Sequence, residues 1–201
     1  MELTKKFKTT TKIMGSTPSL GYAGVLEKYI TGGSDKNLLS FADQAKKKNQ
    51  TIEETLNNIL SIFHRDEKGN PIIGSWMMKA CLKSTFSKIF NAIKNKNHPK
   101  QALWDVAIGL VEPLNINLYN GSLVKKPNGV NTYAMTVKQG NKATSFFKAY
   151  EYINAGITGE VTMTFDEDVI SEENINYLLD KSGSVGVGAF RERFGKFEWV
   201  E

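Results

Sequence analysis

Gly183-Ser-Val-Gly186-Val-Gly188-Ala-Phe190-Arg191-Glu-Arg193-Phe194-Gly195-Lys196-Phe197-Glu-Trp199-Val-Glu201 sets closely spaced glycines among arginines and aromatic rings. Glycine lets a backbone approach a ligand or another segment closely, and guanidinium groups and rings beside it can hold phosphates and bases. The stretch ends in a predicted strand that places Phe197 and Trp199 on one face. Two readings of it stand side by side. In one, the loop's amides and guanidinium groups face phosphates while Phe190 or Phe194 stacks on a base. In the other, a glycine-rich hairpin leaves its arginines in water and closes the core with its phenylalanines. A dinucleotide fingerprint is excluded, because these glycines follow a helix rather than a strand.

That helix is predicted over 172–180, with Ser171 as its cap and Glu172 and Glu173 at the positive end of its dipole. Upstream, five strands are predicted at 104–111, 114–119, 133–137, 145–153 and 159–165, separated by segments containing Gly, Pro or Asn. Several antiparallel pairs are expected among them. Before them, Ser75 is placed to cap a helix over 76–93, in which Met78, Leu82, Phe86, Ile89 and Ile93 form one stripe. His64 to Pro71 reads as a turn that stops a helix over 52–62, opened by the capping-box spacing Thr51-Ile-Glu-Glu54. The polar run 43–50 is a surface segment of a helical insertion. Residues 3–13 alternate with period two and predict a first strand ending at Gly15-Ser-Thr-Pro18.

With 201 residues and 40% hydrophobic content, the chain can bury one well-formed core, and a single domain with an insertion at about 20–62 is expected. Lys+Arg 26 against Asp+Glu 21 gives a net charge of +5, a modest excess that suits a polyanionic partner. The one cysteine, Cys81, excludes an intramolecular disulfide, reads as a small core residue and points to a reducing compartment. Apolar runs are too short for a bilayer and the first residues lack a signal-peptide core, so a cytoplasmic protein with no membrane partner is expected. His64 and His98 stand in no ligand spacing with each other or with Cys81; no metal or other cofactor is expected.

A second basic segment lies in the middle of the chain. Gly74-Ser75 starts a helix whose first amides could bind a phosphate, and Lys79 and Lys83, one turn apart, would extend the positive surface. A lysine-bearing outer face is also what any amphipathic helix needs.

Taken together, the Gly-Ser helix start with a following lysine, the intervening strands, the short helix and the Gly186-x-Gly188-x-x-Arg191-x-x-x-Gly195-x-Phe197 ending resemble the RAMP superfamily of RNA-binding proteins from CRISPR systems. The layout is similar also to uncharacterised phage and prophage proteins, which share the Gly15-Ser-Thr-Pro18 turn, the Tyr29-Ile30 helix and the Arg65-Asp66-Glu67-Lys68-Gly69-Asn70-Pro71 turn. Ala80 departs from the pattern, since RAMP proteins commonly carry glycine after the lysine. The resemblance implies an α+β, ferredoxin-like (RRM-like) antiparallel sheet with helices packed on one face and a helical insertion. It also implies a protein that binds single-stranded RNA or DNA across a sheet and beside the glycine-rich loop, in the cytoplasm of a bacterial host.

On this basis the expected site comprises Ser75, Lys79, Lys83, Gly186, Gly188, Phe190, Arg191, Arg193 and Lys196, without a catalytic residue. Some RAMP proteins cleave RNA with histidine, but His98 lies in a basic polar loop and His64 suits a helix end, where its charge would meet the dipole. Asp66 and Glu67, and Asp166, Glu167 and Asp168, read as solvated turns. A Walker A loop and a Gly-x-Ser-x-Gly elbow are absent. The first alternative function is an interaction protein on the same fold: a homo-oligomer or filament subunit, or a phage factor in a host or phage protein complex; the second is a RAMP-like endoribonuclease that would depend on His64 or His98. In the first case Trp104, Tyr119, Tyr133 or Tyr150 would serve an interface.

Overall fold

The structure is a computed structural model that describes residues 1–18, 46, 49, 51, 54, 60–92, 108–139, 142–189, 191 and 193–201; at 17–18, 90–92, 134–139 and 142–147 it describes the backbone alone. Its strands, in chain order, are β1 (Glu2–Thr9), β2 (Ile13–Met14), β3 (Thr17–Pro18), β4 (Leu60–Ile62), β5 (His64–Arg65), β6 (Pro71–Ile73) and β7 (Glu112–Pro113). They continue with β8 (Ile116–Asn120), β9 (Ser122–Leu123), β10 (Gly129–Gln139), β11 (Lys142–Ile153), β12 (Thr158–Thr164) and β13 (Phe197–Val200). Two helices are described, α1 (Ser75–Ala92) and α2 (Glu172–Val185). The chain forms two compact units, the first of residues 1–14, 64–127 and 153–201, the second of 15–63 and 128–152.

The first unit is built on a sheet of order β13-β1-β12-β8-β6-β5, in which each of these neighbouring pairs is antiparallel. Within it, β1, α1, β8, β12, α2 and β13 follow in chain order, and the four strands lie in the order fourth, first, third, second. That is the split βαβ arrangement of a ferredoxin-like fold, so the expected fold class is the observed one. Period-two alternation on β1 explains its two faces: Phe7 and Thr9 are buried, Leu3 and Lys5 half-buried, and Glu2, Thr4, Lys6 and Lys8 exposed. Phe7 packs against Phe197 and Trp199, with ring centroids 5.2 and 6.3 Å away. The Trp199 indole donates to the Leu179 carbonyl at 2.6 Å, which fixes α2 over that side of the sheet.

The helices follow from their apolar spacing. In α2, Ile175, Leu178, Leu179, Ser182 and Val185 are buried at helical intervals, and the Ser171 hydroxyl accepts from the Asn174 amide as the cap. The stripe continues past Asp180, and so does the helix, five residues beyond its expected end. In α1, Met78, Leu82 and Phe86 are buried as the stripe requires. Cys81 is fully buried and its thiol donates to the Ser182 carbonyl at 3.6 Å, joining the two helices.

Burial pushes the Cys81 thiol from its ordinary 9.0 up to about 11, against the opposite pull of the Thr85 hydroxyl and the Arg191 charge. The folded chain therefore keeps a proton that the unfolded chain gives up, so stability falls as pH rises from about 9 to about 11. We expect Cys81 to resist alkylation at pH 8 in the native protein and to react promptly in denaturant, as thiol-labelling mass spectrometry would record.

The second unit has the strand order β10-β11-β4-β3. β10 and β11 form a hairpin in register from Gly129 opposite Tyr152 to Gln139 opposite Lys142, and β4 joins β11 in parallel. Glu151 is fully buried, and its carboxylate accepts from the Phe63 amide at 2.8 Å while its carbonyl accepts from the Gly15 amide at 2.9 Å. One residue thus ties together three chain segments of this unit.

Several sequence expectations are corrected. The capping box is formed, with the Glu54 amide donating to Thr51 and the Thr51 amide to Glu54, but 60–62 is strand rather than helix. Pairing of Leu60 with Ala149 and of Ile62 with Thr17 outweighs the helical spacing there. His64 consequently lies in β5, opposite Ile72, rather than at a helix end. The strand expected at 104–111 is helical at Ile108 and Gly109, and 104–107 lie outside the described residues. Most of the expected insertion at 20–62, the 43–50 run apart from Lys46 and Asn49, the Tyr29-Ile30 motif, Ile93 and His98 likewise lie outside them.

Candidate nucleic-acid interface

The glycine-rich stretch links α2 to β13, and its backbone is held from several sides. The Gly186 amide closes α2 on the Ser182 carbonyl, the Val187 amide meets the Gly195 carbonyl, and the Ala189 amide reaches the Met14 carbonyl. The Gly195 amide donates to the Lys12 carbonyl at 2.8 Å and the Lys196 amide to the Thr11 hydroxyl at 2.9 Å. Gly186, Gly188 and Gly195 all have positive φ, the region that other L residues avoid. A Cβ on Gly188 would run into the Met14 carbonyl and one on Gly195 into the Val187 carbonyl. The glycines therefore serve close packing of backbone on backbone, and the amides of Val187, Ala189, Gly195 and Lys196 are already used. Phosphate contact through those amides is thereby corrected: a bound strand would have to be met by side chains.

The side chains on this loop are cationic. Arg193 is exposed, Arg191 and Lys196 are half-buried, and among the described residues none of the three lies within ion-pair distance of a carboxylate. Lys12, in the segment to which the loop is pinned, sits over the Phe194 ring at 5.5 Å. Phe190 lies outside the described residues. Lys12 and Thr11 were not among the expected site residues. They join the loop by contacts spanning more than 180 residues of sequence, for which no local pattern exists.

The second expected segment is arranged differently. The Ser75 amide donates to the Asn115 side chain at 2.9 Å, so the first amide of α1 has a partner from β8's approach. Lys79 forms an ion pair with Glu112 at 2.6 Å. At about 100° per residue, Lys79 and Lys83 each stand about 200° around the helix from Cys81, the residue that faces α2. Arg191 is close enough to act electrostatically on Cys81. Lys79 and Lys83 thus lie on the side of α1 away from Cys81, the residue on which the Arg191 charge acts. We expect Lys79→Ala to change oligonucleotide affinity by less than about threefold in a titration, since its charge is already matched.

Of the aromatics expected at a protein interface, Tyr150 is 6% exposed and packs on Tyr133 with centroids 6.2 Å apart, so it is core rather than surface. Tyr119 is 42% exposed on the open face of the first unit's sheet, and Trp104 lies outside the described residues. That open face carries Lys6 opposite Glu160 and Lys8 opposite Glu198, so its charges are largely matched. Among the described residues no group of His, Cys, Asp or Glu could hold a metal ion, and no helix is long and apolar enough to cross a membrane.

No family model and no curated protein matches the chain. Among solved structures it is similar to a chain of the type III-B Cmr-beta complex bound to cognate target RNA, with 12% identity and a TM-score of 0.49, over 100% of this chain and 58% of that one. It therefore spans little more than half of that protein's length. It is also similar to Cmr6 from Pyrococcus furiosus, with 10% identity and a TM-score of 0.48, over 100% of this chain and 98% of that one. A chain of a type III-A Csm-crRNA-target RNA complex matches at 11% identity and a TM-score of 0.29, over 87% of this chain and 67% of that one.

Proposed function

We propose that this protein is a non-catalytic, phage-type binder of single-stranded RNA or DNA, and that the loop between α2 and β13 makes the principal contact. The observation that carries the reading is the cation set itself: Arg191, Arg193 and Lys196 stand on a backbone pinned by its own hydrogen bonds, with no carboxylate partner among the described residues. Such a platform loses little conformational freedom when it meets a strand, and guanidinium groups suit phosphate oxygens better than any other side chain. Phe194, under Lys12, is the ring that would meet a base. Lys83, exposed on α1, would make at most a separate contact.

The test is a salt titration of binding to a single-stranded oligonucleotide, in ribose and deoxyribose forms. Three phosphate contacts predict a slope of log affinity against log salt of about −2. A flat salt dependence in the folded protein would refute contact through these cations. A difference between the two sugars would identify RNA or DNA as the preferred strand.

A further inference from the structure

The backbone around Phe194 is fixed from both sides. The Gly195 amide donates to the Lys12 carbonyl at 2.8 Å, and the Phe194 carbonyl lies so near Gly186 that a Cβ there would stand 2.7 Å from its oxygen. One residue further on, the Lys196 amide donates to the Thr11 hydroxyl at 2.9 Å, and its carbonyl accepts from the Thr10 and Thr11 amides at 2.8 and 3.3 Å. With the main chain set, the side-chain torsions of Phe194 are what remains to be chosen.

Lys12 supplies that choice. Its ammonium stands over the Phe194 ring, 5.5 Å from the centroid, where the ring quadrupole attracts a cation. The same residue therefore grips Phe194 twice, through Gly195 by its carbonyl and through the ring by its charge. A ring has two faces, and the ammonium takes one of them. Phe194 is half-buried, so part of the ring stays open, and a base can stack only on the face that the ammonium leaves.

We propose that Lys12 is a positioning residue for base recognition: it holds the Phe194 ring in its binding orientation, so that the loop takes one unpaired base against the ring while Arg191, Arg193 and Lys196 meet phosphates. The inference rests on the reading of this loop as a single-strand contact and adds the class of ligand, a strand with a base free of its own stack rather than any polyanion. The physical gain is preorganisation. A ring that would otherwise visit several rotamers is ordered in the free protein, so that ordering no longer opposes binding.

The test compares two strands of equal length and phosphate number, one an ordinary single-stranded oligonucleotide and the other abasic. Both meet the cations alike, so the ratio of their affinities reports the ring. The parent protein binds the base-bearing strand about tenfold or more tightly, and Phe194→Leu brings the ratio close to one. Lys12→Gln lowers the ratio by about threefold to tenfold, the effect of one side chain left to be ordered on binding. Lys12→Arg, which keeps a cation over the ring, preserves it. In the Phe194→Leu background, Lys12→Gln leaves the ratio where it is, because the two residues act as one unit. A direct phosphate contact or a merely structural role would weaken both strands together. An unchanged ratio in Lys12→Gln, or a parent ratio of one, therefore overturns the inference while the loop remains the binding site. A parent that binds neither strand overturns the functional reading itself, and the inference with it.

Discussion

Replacing Arg191 and Arg193 together by alanine lowers affinity for a single-stranded oligonucleotide about a hundredfold at fixed salt, roughly tenfold for each charge-assisted phosphate contact. The salt dependence changes with it: the slope of log affinity against log salt becomes shallower by about 1.4, at about 0.7 per phosphate on a single strand. The two readouts belong together, because a loss of affinity with an unchanged slope would mean that the arginines support the loop rather than contact phosphate. Stability should barely move. Arg193 is exposed, and among the described residues neither arginine is in an ion pair, so their removal leaves no buried charge behind. A folded double variant that binds as tightly as the parent would remove the loop from the binding site.

Gly195→Ala costs about 3 kcal/mol or more of folding stability and abolishes oligonucleotide binding as well. The new methyl group would have to occupy the space of the Val187 carbonyl, and the backbone at φ +71° disfavours any side chain. Relief requires parting the Val187–Gly195 hydrogen bond and the one from Gly195 to Lys12, which hold the loop against the 10–14 segment. Arg191 and Arg193 would then lose their platform. Gly69→Ala is the control: its φ is +80°, but a Cβ there meets nothing within 4 Å, so only the conformational cost of about 1 kcal/mol applies. Denaturant midpoints measured side by side decide the matter. If the two substitutions cost the same, the loop is not locked by close backbone packing.

These two predictions concern the same stretch of sequence and depend on different parts of it. The glycines and arginines are equally visible at 183–201, yet their roles could not be separated from spacing. A positive φ, and a carbonyl in the space of a missing Cβ, exist only once Met14 and Val187 have been brought there. The arginines remain candidates for a ligand because the glycines explain themselves without one.

Elsewhere the same division holds. The α2 cap at Ser171, the stripe of α1 and the alternation along β1 are legible, since each depends on residues within one or two turns or pleats of one another. The segment 60–62 is ambiguous because Leu60 continues the helical spacing of Ile52, Leu56 and Ile59 while 60 and 62 also alternate as a strand, and β11, some ninety residues later, decides between them. Spacing alone offers Lys79 as a phosphate ligand because Glu112, its partner, lies 33 positions further along the chain. Gly159 gave no signal at all, yet it lies opposite Phe7, whose ring takes the space of the missing side chain.

The sequence by itself determined which segments form helices and strands over most of the first unit, the basic balance of the chain and the cationic character of its 183–201 stretch. Those properties are sums over near neighbours or over composition, and they survive without knowledge of the fold. Only the tertiary structure decided that the glycines serve backbone packing, that Lys12 joins the loop, and that Glu112 takes the charge of Lys79. Each of these rests on hydrogen bonds, charges or van der Waals contact between residues far apart in the chain. Such contacts act over a few ångströms of space, and local spacing carries no record of them.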